Sequence, residues 1–525
     1  MKPRPPTIRS RKLLTLAAVL FATGSVIWSG VSLWHWFGDQ WPSVVPWAGR
    51  GRRERPPEPP DGPAPTPTRA LAAFSNRRST DGLTNAARLF SGTDVWTLHL
   101  RFTPEQWAAI EPHQIEAMNQ PFFNSRFELR NPAARRNGLA GVRGLEFEWV
   151  HAAVEFEDRT FADVAVRYKG NGTYLRAQHG EKRPFKVDLH KFGKGNDVAG
   201  RTTLNLANLA VDDSCIHDAL GYELFRAAGV PAPRTAYARL WTTIGTAAPA
   251  YRGLYELVEN VDEDFANERF GTRKGAIFKP VTHELFSDLG DDWSAYEGIY
   301  DPKSKLTPAQ SQRVIEFARL LTHADDATFA ARAGEFIELD EFARFLAGMV
   351  LLSSYDGFLN NGQNFYLWLS PDTGRFQFIP WDLDNAWGKF GFAGPLPDQA
   401  RASISHPWMG HHRLLERLLA VPDFQARYRR ALQEMLTTVF TPGNLLARVD
   451  DLAARLRPVV AEESPRKAAR FEQAVTATSL DPAAHDRAGS GRNRPPHPLK
   501  WFITERARSV GEQLAGTGEG VLLSR

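Results

Sequence analysis

Apolar and polar residues alternate along the first half of the chain, from about residue 94 to residue 258. This alternation puts the apolar side chains of a segment on one face, which is the pattern of a half-buried β-strand. The clearest strands are predicted at 96–100, 147–149, 164–168 and 185–189. The first half is therefore predicted to be mainly β.

One helical segment interrupts this β-rich half, at residues 213–228. Asp212 or Asp213 is suited to cap its N-terminus, and Gly229 followed by Pro231 is a typical helix stop. The segment is therefore predicted to be a short helix set among strands.

Beyond about residue 262 the apolar residues recur at helical spacing. The predicted helices are 310–321, 339–352, 412–419, 423–440, 442–462 and 499–514. A β-hairpin is predicted at 364–379, with its turn at Pro371-Asp372-Thr373-Gly374. The pattern favours an α+β enzyme with a β-rich N-lobe, an α-rich C-lobe and a cleft between them, and two independent domains are the alternative.

The N-terminal residues have a different pattern. Residues 1–12 are basic and contain no acid, and residues 13–37 are apolar and long enough for a membrane-spanning helix. A cleaved signal peptide is the alternative, but its apolar core is usually about 7–15 residues and no clear A-x-A site follows. We predict an uncleaved anchor in a bacterial inner membrane, with the globular part outside the cytoplasm. The predicted segments are tail 1–12, anchor 13–37, Pro-rich linker 38–90, N-lobe 91–258, C-lobe 259–515 and tail 516–525.

Composition narrows the function. The 525 residues include 64 Lys and Arg against 60 Asp and Glu, a net charge of +4 that does not favour a nucleic-acid partner. The single cysteine, Cys215, excludes an intrachain disulfide and any multi-thiolate metal site.

Two basic segments lie on predicted strands. The segment VRYKGNGT carries Lys169 and then Asn171 in a Gly-Asn-Gly turn, whose backbone amides could approach an anion. The segment RPFKVDL carries Lys186 on the face opposite its apolar residues, where a lysine can neutralise nucleotide phosphates. An exposed basic hairpin and a solvated lysine are the plain alternatives.

Glu223 falls on the inward apolar stripe of the predicted 213–228 helix. A buried carboxylate without a cation is very costly, so Lys186 or Lys169 is its expected partner. The alternative is a glutamate at the edge of the stripe that reaches solvent.

The most specific polar residues follow a predicted helix and a predicted strand. Asp356 comes directly after the helix at 339–352, and Asn361 and Asn364 follow it, whereas Asp382 and Asp384 follow the second strand of the hairpin. Oxygen ligands at two chain positions suit Mg²⁺ that bridges two phosphates, while a separate Asp can accept a hydroxyl proton.

These segments, in this order, resemble the CotH kinase family, the spore-coat-protein-H type of atypical protein kinase. The resemblance covers about residues 95–514. Its main motifs are VRYKGNGT, KRPFKVDL, LNLANLAVDDSCIHDALGYELFRAAGVPAP, YRGLYELVENVDEDF, GAIFKP and NNGQNFYLWLSPDTGRFQFIPWDLDNAWG. It implies a protein-kinase-like fold, ATP with Mg²⁺ or Mn²⁺, and transfer of the γ-phosphoryl group to Ser or Thr of a protein.

The resemblance also implies roles for single residues. Lys186 would be the ATP-phosphate lysine and Glu223 its ion-pair partner, with Glu256 near the adenine. Asp356 would be the catalytic base. The remaining implied residues are the metal ligands Asn361 or Asn364, with Asn364 favoured, and Asp382 with Asp384 beside it.

The chain departs from the family pattern at Gly172-Thr173, where members usually have Ser after K-G-N. The choice between Lys169 and Lys186 for ATP therefore stays open. Two other functions stay open as well. One is a pseudokinase scaffold for envelope or surface assembly. The other is a glycoside hydrolase with a carboxylate pair and with Trp368, Trp381 and Trp387 as sugar platforms.

Overall fold

The computed structural model describes residues 68–114, 145–170, 172–177, 182–481 and 495–524. Pro59–Leu480 and Pro496–Arg525 belong to one compact unit. The predicted basic tail and the predicted anchor at 13–37 lie outside the described residues, as does most of the Pro-rich linker.

Strands dominate the first half of the described chain, in agreement with the alternating pattern. They are β1 Val95–Phe102, β2 His113–Gln114, β3 Leu145–Glu146, β4 Val150–Phe156, β5 Arg159–Tyr168, β6 Phe185–Asp188, β7 Thr203–Ala207, β8 Thr235–Ile244 and β9 Ala250–Val258. The short helices of this half are α1 Thr68–Ser75, α2 Ala86–Leu89, α3 Pro104–Ala109, α4 Gly172–Ala177 and α5 His217–Ala227.

Helices dominate the second half. They are α6 Glu263–Phe270, α7 Ser294–Tyr300, α8 Pro308–His323, α9 Asp326–Arg332, α10 Leu339–Leu351, α11 Leu396–Ala400, α12 Arg413–Ala420, α13 Pro422–Thr438, α14 Pro442–Val460, α15 Pro465–Thr476 and α16 Leu499–Ala515. A small antiparallel sheet lies among them, formed by β10 Ala276–Phe278, β11 Phe365–Leu369 and β12 Phe376–Pro380. The six predicted helices and the predicted hairpin are confirmed to within a few residues.

The predicted fold class is wrong. Within the described chain, seven strands close into a barrel in the order β1-β4-β5-β6-β7-β9-β8, which does not fit a bilobal kinase-like fold behind a transmembrane helix. The barrel closes because β1 pairs in parallel with β8, from Val95 opposite Tyr237 to Phe102 opposite Ile244. The alternating pattern correctly predicts strands at 96–100, 164–168 and 185–189, whereas residues 147–149, also predicted as a strand, lie between β3 and β4. It does not predict a pairing between strands so far apart in the sequence.

The predicted membrane location is also corrected. Among the described residues, no helix combines the length and the apolar character that crossing a membrane requires.

Helix α5 packs between the two halves of the described unit. It contacts β8 on one side and α10 on the other. Gly348 of α10 permits this approach, since a Cβ there would lie 2.3 Å from Cε1 of Phe225 on α5. The turn before α5 holds Cys215, which is buried with φ +59° and whose carbonyl accepts a hydrogen bond from the Tyr237 hydroxyl at 2.7 Å.

An ion pair joins α5 to α14. Nε of Arg448 donates to Oε2 of Glu223 at 2.8 Å, and Nη2 donates to Oε1 at 2.5 Å. Both side chains are about one-third exposed, so Glu223 lies at the edge of the apolar stripe of α5 rather than deep within it.

We predict that Gly348→Ala destabilises the protein by about 1–3 kcal/mol, because the added methyl group overlaps the ring of Phe225. Urea unfolding checks this prediction. Gly511→Ala is the matched control, because Gly511 lies within α16 and its Cβ would meet open space. The control is expected to be neutral or to stabilise by up to about 1 kcal/mol. Equal effects of the two substitutions would contradict the prediction.

We also predict that a double-mutant cycle on Glu223 and Arg448 gives a coupling energy of about 0.5–1 kcal/mol, as a half-exposed bidentate pair should. The same cycle on Glu223 and Lys186 should give a coupling near zero, because Nζ of Lys186 donates instead to Oδ1 of Asn260 at 3.3 Å. The free energy of unfolding in urea is the measurement. A larger coupling with Lys186 than with Arg448 would restore the ion pair expected from the sequence.

Candidate functional site

Asp356 lies in the turn that follows α10, and two amide side chains fix its carboxylate. Nδ2 of Asn361 donates to Oδ1 at 2.8 Å, and Nδ2 of Asn385 donates to Oδ2 at 2.9 Å. Burial and the negative charge of Asp382 raise the pKa of Asp356 to about 6, although the amide donors oppose this shift. Asp356 is therefore a positioned carboxylate that titrates close to neutral pH.

The β11–β12 hairpin brings the asparagine segment and the aspartate segment together. Phe365 pairs with Pro380, and the amide of Trp381 donates to the carbonyl of Asn364 at 3.2 Å. Asn364 and Asp382, which flank the two strands, both have positive φ, +60° and +57°. Backbone strain of this kind is uncommon for residues other than glycine and is concentrated at functional sites.

Gly362 allows the asparagine turn to lie against the chain near β10. A Cβ at this position would lie 1.8 Å from the carbonyl oxygen of Thr282, and φ is +60°. The carbonyl of Gly362 accepts the amide of Thr282 at 2.8 Å. The Asn-Asn-Gly sequence is thus required by a close backbone approach as well as by the turn.

Helix α5 holds the segment that contains Asp382. The amide of Asp382 donates to the hydroxyl of Tyr222 at 2.8 Å, and the amide of Leu383 donates to Oδ1 of Asp218 at 2.6 Å. Nδ1 of His217 donates to the carbonyl of Asp384 at 3.0 Å. Three side chains from the first turns of one helix thus fix this segment.

Four carboxylates share one electrostatic environment. Burial, reinforced by the charge of Asp382, raises the pKa of Asp218 to about 7 and raises the pKa of Asp384 well above its usual value. Asp382 itself is exposed. Because the charge of Asp382 raises the pKa of Asp218, Asp356 and Asp384, a cation placed among these acids would be stabilised.

Lysines lie close to these acids. Burial lowers the pKa of Lys169, and the charges of Asp382, Asp218 and Asp384 act in the opposite direction. Burial also lowers the pKa of Lys279 to about 8, again opposed by Asp382. Nζ of Lys279 lies 5.2 Å from the ring centres of both Tyr366 and Trp381.

Lys186 belongs to a cationic group on the barrel side. Its pKa is lowered to about 7, first by burial and then by repulsion from its neighbours. These neighbours are Arg167, Lys169, Lys279 and Lys303. Several cations that repel one another in a half-buried position are suited to a polyanion such as a chain of phosphates.

The structure brings together most of the residues predicted from the sequence. Asn361 hydrogen-bonds to Asp356, and the charges of Asp382 and Asp384 act on Lys169. Glu223 is bound instead to Arg448, and Asn171 lies outside the described residues. Glu256 is buried within β9, and its backbone pairs with β7 and β8 on both sides, so it presents no free strand edge to an adenine.

Several residues of the site were missed in the sequence. Asp218 and Tyr222 are four residues apart and so share one face of α5, a spacing that could have indicated a common target. Lys279 belongs to the GAIFKP motif and Asn385 to the DLDNAWG motif. These motifs carry the family resemblance, but the resemblance assigns no role to either residue. No pattern in the sequence distinguishes them from surface residues.

The hydrogen bonds of Asn361 and Asn364 indicate which of the two has its side-chain oxygen available as a metal ligand. Oδ1 of Asn361 accepts a hydrogen bond from Asn360 at 3.0 Å, whereas Asn364 uses Nδ2 for the carbonyl of Asp356 at 2.7 Å. Oδ1 of Asn364 is therefore the more accessible ligand atom. In the described chain, no three His, Cys, Asp or Glu side chains converge as a metal site. Mg²⁺ bound through one or two carboxylates, substrate phosphates and water needs no such group, so Asn364, Asp382 and Asp384 fit it.

Comparison with known proteins identifies the family of this chain. Residues 166–510, well over half of the chain, match the family model described as CotH kinase protein. The chain is also 24% identical over 309 residues to the inner spore coat protein H of Bacillus subtilis (strain 168), an alignment that covers 58% of this chain and 80% of that protein. The chain belongs to the CotH kinase protein family.

Proposed function

We propose that this protein transfers the γ-phosphoryl group of ATP to a Ser or Thr hydroxyl of a protein substrate. The observation that carries the proposal is the carboxylate of Asp356, which is fixed by two amides, has a pKa raised to about 6 and lies close enough to Asp382 to be affected by its charge. A carboxylate with this pKa is largely ionised at neutral pH and is basic enough to accept a proton from the substrate. Family membership supports the same reaction class.

Each group has a role in this reaction. Asp356 accepts the proton of the substrate hydroxyl while the hydroxyl oxygen forms its bond to the γ-phosphorus. The bond from that phosphorus to the β–γ bridging oxygen breaks, and ADP leaves. Lys169, Lys186 and Lys279 neutralise the phosphate oxygens, and this charge neutralisation is the larger part of phosphoryl-transfer catalysis.

The acidic side of the site is suited to a divalent cation, Mg²⁺ or Mn²⁺. Asp382, Asp384 and Oδ1 of Asn364 would hold it, and when bound it supplies positive charge to the phosphates. Asp218 and Tyr222 keep Asp382 in its strained backbone conformation through the hydrogen bonds to the amides of Asp382 and Leu383.

A second candidate function is a non-catalytic scaffold in a spore coat or another surface layer. It rests on the name of the Bacillus subtilis relative, which describes a coat protein and not an enzyme. Nucleotide-dependent melting separates the two functions. A melting temperature unchanged by millimolar ATP with Mg²⁺ or Mn²⁺ would favour the scaffold.

The burial of the three tryptophans argues against a glycoside hydrolase. Trp368, Trp381 and Trp387 are at most 6% exposed, and the indole nitrogen of Trp387 donates to the carbonyl of His217 at 3.1 Å. Buried rings of this kind offer no platform on which a sugar can stack.

We predict that Asp356→Asn lowers phosphoryl transfer by about 10²–10⁴-fold, because the amide cannot accept the proton. Incorporation of the labelled γ-phosphate into the protein itself and into Ser/Thr-rich peptides is the measurement, with Mg²⁺ and Mn²⁺ tested separately. Asp81→Asn is the control, because Asp81 is an exposed turn residue in another part of the chain. Transfer that survives Asp356→Asn undiminished would remove Asp356 as the base.

We predict that the transfer rate falls about tenfold per pH unit below about pH 6. The base works only when ionised, and its pKa of about 6 makes the ionised fraction fall as the pH falls through that value. Asn385→Ala removes a donor that stabilises the charged carboxylate, so the acid limb should move to higher pH. An acid limb that moves to lower pH in this variant would contradict the assignment.

A further inference from the structure

A cavity of about 450 Å³ lies between the start of α10, the β11–β12 turn and the end of α6. Glu341 and Arg344 of α10 line it, together with Phe270 and Trp368, whose rings stack with centres 4.6 Å apart. A volume of this size is typical of small-ligand sites. None of these residues belongs to the site proposed above for phosphoryl transfer.

Two polar groups in this cavity have unused hydrogen-bonding atoms. Oε2 of Glu341 accepts a hydrogen bond from the amide of Phe378 at 3.2 Å, but Oε1 is buried and makes no hydrogen bond to any described residue. Nε of Arg344 is likewise buried without an acceptor. Glu341 is only 7% exposed, and a buried oxygen without a hydrogen-bond partner is costly.

The other charged groups that line the cavity are mostly neutralised. Glu338 pairs with Arg375 at 3.3 Å and Asp340 with Arg427 at 2.6 Å. Arg269 pairs with Glu259 at 3.1 Å. Asp372 is an exposed acid on the turn at the rim.

Glu341 is itself neutral at physiological pH. Burial raises its pKa to about 8, and the amide of Phe378 and the charge of Arg344 oppose this shift only in part. Its protonated oxygen can then donate a hydrogen bond. The cavity therefore contains a guanidinium that forms no ion pair within the described part of the chain and, beside it, a carboxyl group that can donate a hydrogen bond. Both groups favour a negatively charged oxygen acceptor.

We propose that this cavity binds a small molecule that carries a carboxylate or phosphate group. The oxyanion pairs with the guanidinium of Arg344 and accepts a hydrogen bond from Glu341, while Phe270, with the buried ring of Trp368 stacked against it, forms the apolar wall. This inference does not depend on the proposed phosphoryl transfer.

Calorimetric titration of the full chain with inorganic phosphate and with succinate tests the proposal, because the two probes separate a phosphate site from a carboxylate site. Binding of at least one probe should weaken about tenfold or more in Arg344→Met, which keeps the packing of the side chain but removes the charge. Glu341→Gln keeps a donor and should retain binding within about threefold, whereas Glu341→Leu should abolish it. Arg332→Met is the control, because Arg332 pairs only with Glu335 on the exposed surface of α9.

Phosphate could also bind to the cationic group around Lys186, and Lys186→Met distinguishes the two positions. Binding that disappears in Lys186→Met but persists in Arg344→Met would overturn the proposal. The proposal would also be overturned if neither probe bound at concentrations up to about 10 mM, which is high enough to detect a weak site. Asp372→Asn removes a negative charge from the rim and should not weaken the binding of either probe, and weaker binding in this variant would contradict an anion site in this cavity.

Discussion

The hydrogen bonds from the backbone of Asp382 and Leu383 to side chains of α5 are the constraint on which the site depends. Tyr222 and Asp218 accept these amides at 2.8 and 2.6 Å, and Asp382 keeps its positive φ with their help. The helix is in turn fixed against α10, which leads into Asp356, by the contact between Phe225 and Gly348. One helix thus sets the position of the two carboxylates that come from distant parts of the chain.

Charges of the same sign lie close together around the site. Cations and acids come from both halves of the described chain: Lys169 and Lys186 belong to the barrel half and Lys279 follows β10, whereas Asp218 lies on α5 and Asp382 follows β12. Each charge makes it more costly to bury another charge of the same sign nearby. Lys186 illustrates this cost, because its pKa falls to about 7 among neighbouring cations. A triphosphate with a divalent ion, the ligand proposed above, would complement both groups at once.

The sequence was most informative where the pattern is local. The helix predicted at 442–462 is observed as Pro442–Val460, and the hairpin predicted at 364–379 is observed with its strands on either side of the expected turn. Pairing between distant segments could not be read in this way. Barrel closure depends on β1 beside β8, and the partner of Glu223 depends on α14, which no periodicity within α5 reveals. Asp356, Asp382 and Asp384 are predictable because they follow a helix or a strand closely, whereas Lys279 and Asn385 could be placed in the site only from the fold.

The buried turn before α5 has a practical consequence for following the motions of this protein. Burial raises the pKa of the Cys215 thiol to about 12, so the thiolate that reacts with alkylating reagents is scarce in the folded state. No other cysteine competes with it in the chain. The rate at which the native protein takes up one equivalent of a thiol reagent therefore reports how often the entrance to α5 opens, without any introduced label.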